Sequence, residues 1–321
     1  MACPGPKTRK PKMYDVVTIG SALVDIFISS KDFYLKKVDS ALWLCQQYDE
    51  KIEVDSFKVT TGGGGSNTAI GFARMGFNTG VVAELGTDSW SELLLNDFKK
   101  EQVDTSLLTL EHKEETGGSV ILLAPDRGRT IMVHRGAASM LDAKDIPDHA
   151  LIDTRWIHLS SISGQQETLQ KIFALINEHK KQFSWNPGKA EIKLLNEGKL
   201  NLTGVDVTVL FVNQKEWDSL APVHEQLHRQ CVQIVVTNGD KGGSVYQLGQ
   251  LHHQYLGGGT VEVVDSTGAG DSFAVGYVTA ILEGANIRNQ ADWGTKNAIS
   301  VIAQVGAKAG LLGKEELEKA V

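Results

Sequence analysis

The clearest pattern in the chain is an alternation of short apolar runs with longer amphipathic stretches. A β-branched run over 14–20, ending at Gly20, predicts a buried first strand. From residue 156 onward, strand-like and helix-like stretches alternate at 156–160, 165–180, 183–186, 190–199, 207–212, 214–229 and 232–237. Such alternation is typical of a parallel sheet covered by helices. The pattern therefore predicts an α/β protein with a mostly parallel central sheet.

Three regions add to this pattern. Residues 117–124 and 129–134 are strand-like runs around a Pro-Asp-Arg-Gly turn, which predicts a β-hairpin. Residues 27–60 interleave charges and aromatics without a clear period. Ser66-Asn67 follows a run of glycines and precedes a helical period, so we expect an N-capped helix over 66–76.

Length and composition bound the architecture. The chain has 321 residues, 41% of them hydrophobic and 22% charged, which is ordinary for one large globular domain. Basic residues and prolines without apolar partners fill the start of the chain, so residues 1–13 are predicted to be a flexible basic tail. We expect residues 14–321 to form a single domain.

Charge and cysteine usage narrow the partners. The net charge of -7 disfavours nucleic acid as a partner, since nucleic-acid binders usually present a basic surface. The longest apolar runs are only strand-sized, so no membrane span is expected. The three cysteines, Cys3, Cys45 and Cys231, are far apart and form no disulfide framework. We therefore expect a cytoplasmic protein.

The strongest local signal is a glycine-rich turn before a helix. Gly268, Ala269 and Gly270 separate a strand-like run from an apolar helical period. Small residues at a helix start let a phosphate approach backbone N–H groups, and the helix dipole favours the negative charge. Asp271 follows in the first turn, where an acid can either stabilise the helix end or act in catalysis. On this feature alone both interpretations stay open.

Two separate motifs resemble the signatures of the ribokinase/PfkB carbohydrate kinase family. The segment from Asp265 to Gly276 matches the C-terminal signature position by position, with Ser266 where the family usually has Thr. The run 63–69, followed by Gly76 and Gly86, has the spacing of the N-terminal signature. Ribokinases proper usually carry Lys where this chain has Gly64. The resemblance extends over about 14–310.

The resemblance implies a ribokinase-like α/β fold with a small β-sheet lid, formed by inserted segments at about 27–60 and 117–135. It implies an ATP-dependent kinase that moves the γ-phosphate to a hydroxyl group of a small sugar, sugar acid or nucleoside. Ribose, fructose, 2-keto-3-deoxygluconate and adenosine all stay open as acceptors, and Gly64 argues against ribose. Lids of this kind can pair, so a homodimer through the lid is also expected.

The same resemblance assigns roles near the reacting groups. Asp271 becomes the catalytic base, and the N–H groups of Gly268, Ala269 and Gly270 hold the charge that develops on the transferred phosphoryl group. Substrate contacts are expected from Asp25, Gly64, Gly65, Asn67 and Arg135. The competing interpretations are a turn acid for Asp25, a helix N-cap for Asn67 and a surface residue for Arg135.

Further residues are assigned to the nucleotide and its cations. Thr237, Gly239 and Gly242 resemble the family's nucleotide loop, and Asn297 is a candidate for the adenine region. Asn213 and Glu216 match an Asn-x-x-Glu motif that would organise Mg²⁺, chiefly through water. Asp265 is the candidate for a monovalent cation such as K⁺. The cofactors expected are therefore Mg²⁺, with ATP as co-substrate, and K⁺.

Two other classes of function remain. The chain could bind a sugar or nucleotide without catalysis, as a sensor, although a sensor needs no catalytic base. It could instead cleave a nucleoside C–N bond, as some proteins of this fold do, and that reaction would not depend on ATP.

Overall fold

The computed structural model of the protein describes residues 13–126, 128–259 and 261–319. Met13 is therefore the one described residue of the predicted basic tail, and the rest of that tail lies outside these ranges. Across the same ranges, no helix combines the length and apolar character needed to cross a lipid bilayer.

The larger of two main sheets has eight strands. They are β1 (Val16–Ile19), β6 (Thr79–Val82), β11 (Trp156–Ser160), β12 (Phe183–Asn186), β13 (Val207–Asn213), β14 (Cys231–Thr237), β15 (Gly243–Gln247) and β16 (Gln250–Tyr255). The order across the sheet is β16, β15, β14, β13, β12, β11, β1 and β6. All neighbours pair in parallel except at the β15 and β16 edge. The central strands read as continuous apolar runs because helices cover both faces.

Ten helices surround these sheets within the described ranges. They are α1 (Gly64–Arg74), α2 (Ser89–Lys100), α3 (Asp148–Ile152), α4 (Gln166–Glu178), α5 (Lys189–Asn196), α6 (Gln214–Ser219), α7 (His224–Gln230), α8 (Ala269–Leu282), α9 (Ile287–Ile302) and α10 (Lys314–Lys319). Neighbouring strand residues enter different cores. Val17 packs with the α4 side of the sheet, whereas Val16 packs with α1 and α8 on the other side.

Several helix boundaries differ from the sequence predictions. The stretch 214–229 is two helices rather than one, because Pro222 lies between α6 and α7 and cannot donate to a helical ladder. Helix α1 begins at Gly64, two residues earlier than predicted. Its N-cap is Gly63, at φ 91°, and the cap uses no side-chain hydrogen bond. The N-cap interpretation of Asn67 is therefore wrong.

A second sheet of four strands forms the predicted lid. The strands are β2 (Leu23–Ser29), β5 (Ser56–Gly62), β9 (Thr116–Leu123) and β10 (Arg129–Gly136), in the order β10, β9, β2, β5. They start and end close to the predicted segments 27–60 and 117–135. A small hairpin, β3 (Tyr34–Val38) with β4 (Ala41–Cys45), lies in the first segment, and β7 (Glu84–Leu85) pairs with β8 (Thr109–Leu110) elsewhere. The α/β fold with a small additional sheet is thus confirmed.

Candidate functional site

The glycine-rich turn is built at the start of α8. Gly268 is the helix N-cap in the left-handed conformation, at φ 77°, which a glycine adopts without strain. A Cβ at this position would also collide with Ala307. The first N–H groups of a helix lack partners within the helix. Ala269 and Gly270, at the start of α8, border an open cavity, so the turn faces a space that a phosphate can enter.

Asp271 lies in the first turn of α8, and its carboxylate contacts helix α1. Its Oδ2 accepts a hydrogen bond of 2.8 Å from Nδ2 of Asn67, on α1. Burial raises the pKa of Asp271 above its ordinary value. The Asn67 hydrogen bond and the charge of Lys308 counteract this rise, whereas the nearby Asp25 adds to it. A carboxylate with a raised pKa beside an anion-binding turn is suited to accept a proton.

Asp25, whose charge acts on Asp271, lies within strand β2 rather than in a turn. The turn-acid interpretation is therefore wrong. Its side chain is buried, and its Oδ1 accepts a hydrogen bond of 2.5 Å from Oγ of Ser119 on β9. A Cβ at Gly62 would overlap this carboxylate. Burial raises the pKa of Asp25, while Ser119 and Lys308 lower it.

The glycine run between β5 and α1 packs against the ends of β1 and β11. A Cβ at Gly64 would lie 2.8 Å from Cβ of Ser160, and one at Gly65 would lie 2.7 Å from the backbone carbonyl of Gly20. Such distances leave no room for a side chain. The glycines therefore let the start of α1 approach β1. This close approach places Asn67 of α1 within hydrogen-bonding distance of Asp271.

Two buried polar atoms near Asp271 have no hydrogen-bond partner among the described residues. They are Oγ of Ser160 and Oδ1 of Asn67. Buried polar atoms are nearly always paired, so unpaired ones beside a catalytic candidate indicate contacts that a ligand completes. Sequence analysis identified Asn67 but missed Ser160, because only the folded sheet brings the end of β11 next to Gly64.

Three of the predicted nucleotide residues meet at a cavity of about 230 Å³. Thr237, Gly239 and Gly242 line it together with Ala269 and Gly270 of the turn. The remaining wall is largely apolar and includes Val261, Val263, Phe273, Ala298, Ile299 and Ile302. An apolar slot that ends at an anion-binding turn is suited to a base at one end and phosphates at the other.

Asn297 does not reach this cavity. Its side chain is fully buried, its Nδ2 donates to the carbonyl oxygen of Ser272 at 2.7 Å, and its Oδ1 accepts from N–H of Leu312 at 3.1 Å. The neighbouring Ala298 and Ile299 line the cavity instead. The prediction that Asn297 contacts adenine is therefore wrong, since both ends of its amide join α9 to α8 and to the C-terminal segment.

Asn213 and Glu216 lie at the carboxyl end of β13, where Asn213 is the register partner of Thr237. The two residues bond to each other in a capping box: Oδ1 of Asn213 accepts from N–H of Glu216 at 3.0 Å, and Oε2 of Glu216 accepts from N–H of Asn213 at 2.8 Å. Burial raises the pKa of Glu216, although both Asn213 contacts lower it. The motif thus has a structural role in starting α6.

Asp265 is buried, and both of its carboxylate oxygens have protein partners. Oδ1 accepts from N–H and Oγ1 of Thr267, and Oδ2 accepts from N–H of Gly306 at 3.0 Å. These bonds fix the turn before α8 against the segment after α9. The monovalent-cation site stays a prediction.

The lid contributes an arginine that the sequence analysis missed. Arg129, at the start of β10, donates a hydrogen bond through Nη1 to Oγ of Ser266, which lines the nucleotide cavity. No local motif marks Arg129, because its role depends on the lid folding over the turn. The predicted Arg135 lies further along β10 and is exposed.

A mostly parallel sheet that ends at a cavity, with an anion-binding turn and a partly buried acid beside it, is typical of a phosphotransferase site. The model of the pfkB family carbohydrate kinases matches residues 13–312, so the chain belongs to this family. The predicted family and the class of ATP-dependent kinase are thereby confirmed.

Individual relatives agree with this assignment. The chain is 24% identical to a ribokinase of Staphylococcus aureus over 320 residues, covering 95% of this chain and 98% of that protein. The crystal structure of a probable sugar kinase from Rhizobium etli superposes with a TM-score of 0.79 at 21% identity, over 96% of this chain and 98% of the other. The adenosine kinase from Sinorhizobium meliloti gives 0.77 at 20% identity, over 97% and 100%. These two structures support the fold.

Filling the cavity should block nucleotide binding. We expect Ala298→Trp to weaken ATP binding at least about tenfold, because the indole occupies the apolar slot beside Phe273. Isothermal titration calorimetry with Mg-ATP measures the dissociation constant. Asp292→Trp, at an exposed position of the same helix, is the matched control and should bind as the wild type does. Equal affinity in the two variants would place the nucleotide elsewhere.

Proposed function

We propose that this protein transfers the γ-phosphate of ATP to a hydroxyl group of a small sugar, sugar acid or nucleoside, with Asp271 as the general base. The observation that carries the proposal is the position of Asp271. Its carboxylate contacts Asn67 on the acceptor side and follows directly after the turn that borders the nucleotide cavity. A hydroxyl bound beside Asn67 would therefore lie between the base and the phosphate.

In the proposed reaction, the acceptor hydroxyl gives its proton to Asp271 as its oxygen attacks the γ-phosphorus. A positioned base of this kind contributes on the order of 10²–10⁴ in rate. The bond from phosphorus to the β,γ-bridging oxygen breaks, and ADP leaves. The N–H groups of Gly268, Ala269 and Gly270 hold the charge on the transferred oxygens. Arg129, bonded to Ser266, adds a positive charge at the same end of the cavity.

Asn213 and Glu216, next to the cavity-lining Thr237, fit a magnesium ion that arrives with ATP. Glu216 would provide a hard carboxylate ligand, and Asn213 holds that carboxylate in place through its N–H. One protein carboxylate plus water and phosphate oxygens is the ligand set that Mg²⁺ commonly takes. When bound, Mg²⁺ would neutralise charge on the phosphates. Potassium at Asp265 stays a prediction of the family resemblance.

The acceptor site is proposed to consist of Asp25, Asn67, Ser119 and Ser160, with the glycines at 64 and 65 admitting the ligand to the backbone. Carboxylate, amide and hydroxyl groups are suited to vicinal hydroxyls of a sugar ring. The lysine that ribokinases usually carry at position 64 does not fit beside Ser160, which weakens the case for ribose. Fructose, a keto-deoxy sugar acid and adenosine remain candidates, and Arg135 is the candidate partner for an anionic group.

A non-catalytic sensor remains the second candidate for the same site, as the sequence left it. Against it stands the cost of burying Asp271 beside another acid, Asp25. A sensor would gain nothing from this arrangement, whereas a base needs the raised pKa. A nucleoside C–N glycosidase has no use for the nucleotide cavity. The predicted cytoplasmic location and the absence of nucleic-acid and membrane partners stay predictions.

We further propose that two copies of the chain pair through the lid. On the sheet face opposite Asp25, a row of apolar side chains crosses all four strands at Val59, Ile26, Val120 and Met132. Val59 and Met132 are 46% and 54% exposed. An exposed apolar face of this extent is typical of an interaction surface, and a second copy with the same face would cover it symmetrically.

Replacing the base should abolish turnover without abolishing binding. We expect Asp271→Asn to lower kcat by about 10²–10⁴, with ATP affinity close to that of the wild type. The assay is acceptor-dependent ADP release with Mg-ATP and a panel of pentoses, hexoses, keto-deoxy acids and nucleosides. The active acceptor also names the substrate. ATP binding without wild-type turnover on any acceptor would favour the sensor.

Crowding at position 64 should be relieved by a compensating change. We expect Gly64→Ala to lower kcat/KM for the acceptor about 100-fold, because the new methyl group overlaps Ser160 and displaces the start of α1. The double variant with Ser160→Gly removes the overlap and should recover part of the loss. A double-mutant cycle on kcat/KM measures this coupling. Simple additivity of the two losses would contradict the proposed contact.

A charge on the lid face opposite Asp25 should prevent two copies of the chain from pairing. We expect the wild type to be a dimer by light scattering after size exclusion, and Val59→Lys to be a monomer, because the lysine cannot be desolvated in an apolar interface. Val232→Lys, at a valine 38% exposed on β14, is the matched control and should remain dimeric. A monomeric wild type would refute the dimer.

A further inference from the structure

A buried lysine joins three elements beneath the candidate acceptor site. Lys308 lies in the segment after α9, and only 8% of its surface is exposed. Its ammonium group donates to Oγ1 of Thr61 on β5 at 2.7 Å, to Oγ of Ser66 on α1 at 2.6 Å, and to Oδ2 of Asp97 on α2 at 3.0 Å. An ammonium group has three protons, and each has an acceptor here.

Removing the ammonium group of Lys308 from water costs free energy, so we do not expect its role to be structural alone. Desolvation lowers the pKa of Lys308, and the nearby Asp97 opposes that effect. Buried ion pairs often stabilise a fold no better than well-packed apolar side chains do. We therefore expect the charge of Lys308 to act through the groups that it contacts.

Each of two contacts of Lys308 lies one residue away from the proposed machinery. Ser66 precedes Asn67, which holds Asp271. Thr61 precedes Gly62, which packs directly on the Asp25 carboxylate. The backbone of Lys308 is itself fixed, because its carbonyl oxygen accepts from Nη1 of Arg74 at 2.9 Å. The lysine thus connects a fixed segment to residues at both ends of the stretch 62–67, which runs from the end of β5 into the first turn of α1.

The charge also acts on the site across space. Lys308 lowers the pKa of Asp25 and of Asp271, which both lie higher than usual because of burial. The charged groups around Lys308 come from every element packed against it, namely Asp97, Glu101, Asp25, Asp271 and Arg74. Loss of the ammonium charge would leave the acids without this counter-charge.

We propose that Lys308 is a positioning residue that holds the acceptor segment, residues 62–67, in place and supplies a fixed positive charge to the two acceptor-side carboxylates. The proposal rests on the proposed function, since it concerns the same acceptor and the same base. Lys308 takes no part in bond making, because its three protons are all engaged by protein oxygens.

The test is Lys308→Met, which keeps the length of the side chain and removes the charge. We expect kcat/KM for the acceptor to fall about ten- to a hundredfold, mostly through a higher KM, because the acceptor segment is displaced. The acid limb of the pH profile of kcat/KM should move to higher pH, because Asp271 then holds its proton to a higher pH. ATP affinity, measured by calorimetry, should change less than about twofold.

Two variants separate charge from position. Ser66→Ala keeps the charge but loses one hydrogen bond, so the acceptor KM should rise while the acid limb stays where it is. Lys308→Arg keeps the charge in a larger group, so the acid limb should remain close to that of the wild type. Lys58→Met is the matched control: Lys58 also joins the lid to the segment after α9, through the carbonyl oxygen of Val305 at 2.8 Å. This exposed lysine should be dispensable for both readouts.

The outcomes distinguish the two proposals. A wild type that turns over no acceptor refutes the proposed function, and the role of Lys308 falls with it. An active Lys308→Met with an unchanged acceptor KM and an unchanged acid limb, and only a lower melting temperature, refutes the role of Lys308 alone. If Lys308→Met does not fold, Ser66→Ala decides the matter, since an unchanged acceptor KM in that variant contradicts the positioning role.

Discussion

The candidate site depends on the hydrogen bond between Asn67 and Asp271, which joins the first turns of two helices far apart in the sequence. The two residues are 204 positions apart, and their contact is 2.8 Å long. For it to form, α1 and α8 must start at the same edge of the large sheet. Packing against the sheet brings them there: Gly64 of α1 lies against Ser160 at the end of β11, and Gly270 of α8 lies beside Asn186 at the end of β12. Both strands are parallel and end at this edge. The proposed acceptor residues and the glycine-rich turn are thereby brought together.

Close packing of the backbone makes the contact between α1 and α8 possible, and such packing requires small residues at the packed positions. Gly64 and Gly65 lie against β11 and β1 at distances that exclude a Cβ, and Gly268 lies equally close to Ala307. A side chain at any of these positions would displace a helix start by a fraction of a helical turn. Charge adds a second condition, because burial raises the pKa of both Asp25 and Asp271, and the charge of Asp25 raises that of Asp271 further. The buried cation of Lys308 lowers the pKa of both acids.

Sequence reasoning predicted the parts of the site that local spacing encodes. The turn 268–270 and Asp271 are adjacent in the chain, so their shared anion site could be inferred without a fold. The alternation of strands and helices likewise predicted the parallel sheet and its hairpin insertion. Family resemblance supplied Asp25 and Asn67, whose opposing interpretations as turn acid and N-cap the structure removes.

Long-range contacts set the limit of that reasoning. Ser119, Ser160 and Lys308 reach the site only because distant strands and segments pack together, and nothing in their neighbours along the chain marks them. The prediction for Asn297 was wrong for the opposite reason. Its position in the sequence suggested a contact with the nucleotide, but its side-chain amide is fully buried and bonded at both ends within the helix interface. The short helices α6 and α7 were merged because the helical period continued through Pro222.

The central claim is that Asp271 takes the proton of the acceptor hydroxyl. Its most direct test is a crystal structure of the protein with a non-hydrolysable ATP analogue, Mg²⁺ and the acceptor that supports turnover. The account predicts the reacting hydroxyl oxygen at about 2.6–3.2 Å from the Asp271 carboxylate and in line with the γ-phosphorus. A hydroxyl held by another side chain, with Asp271 contacting only protein groups, would contradict it.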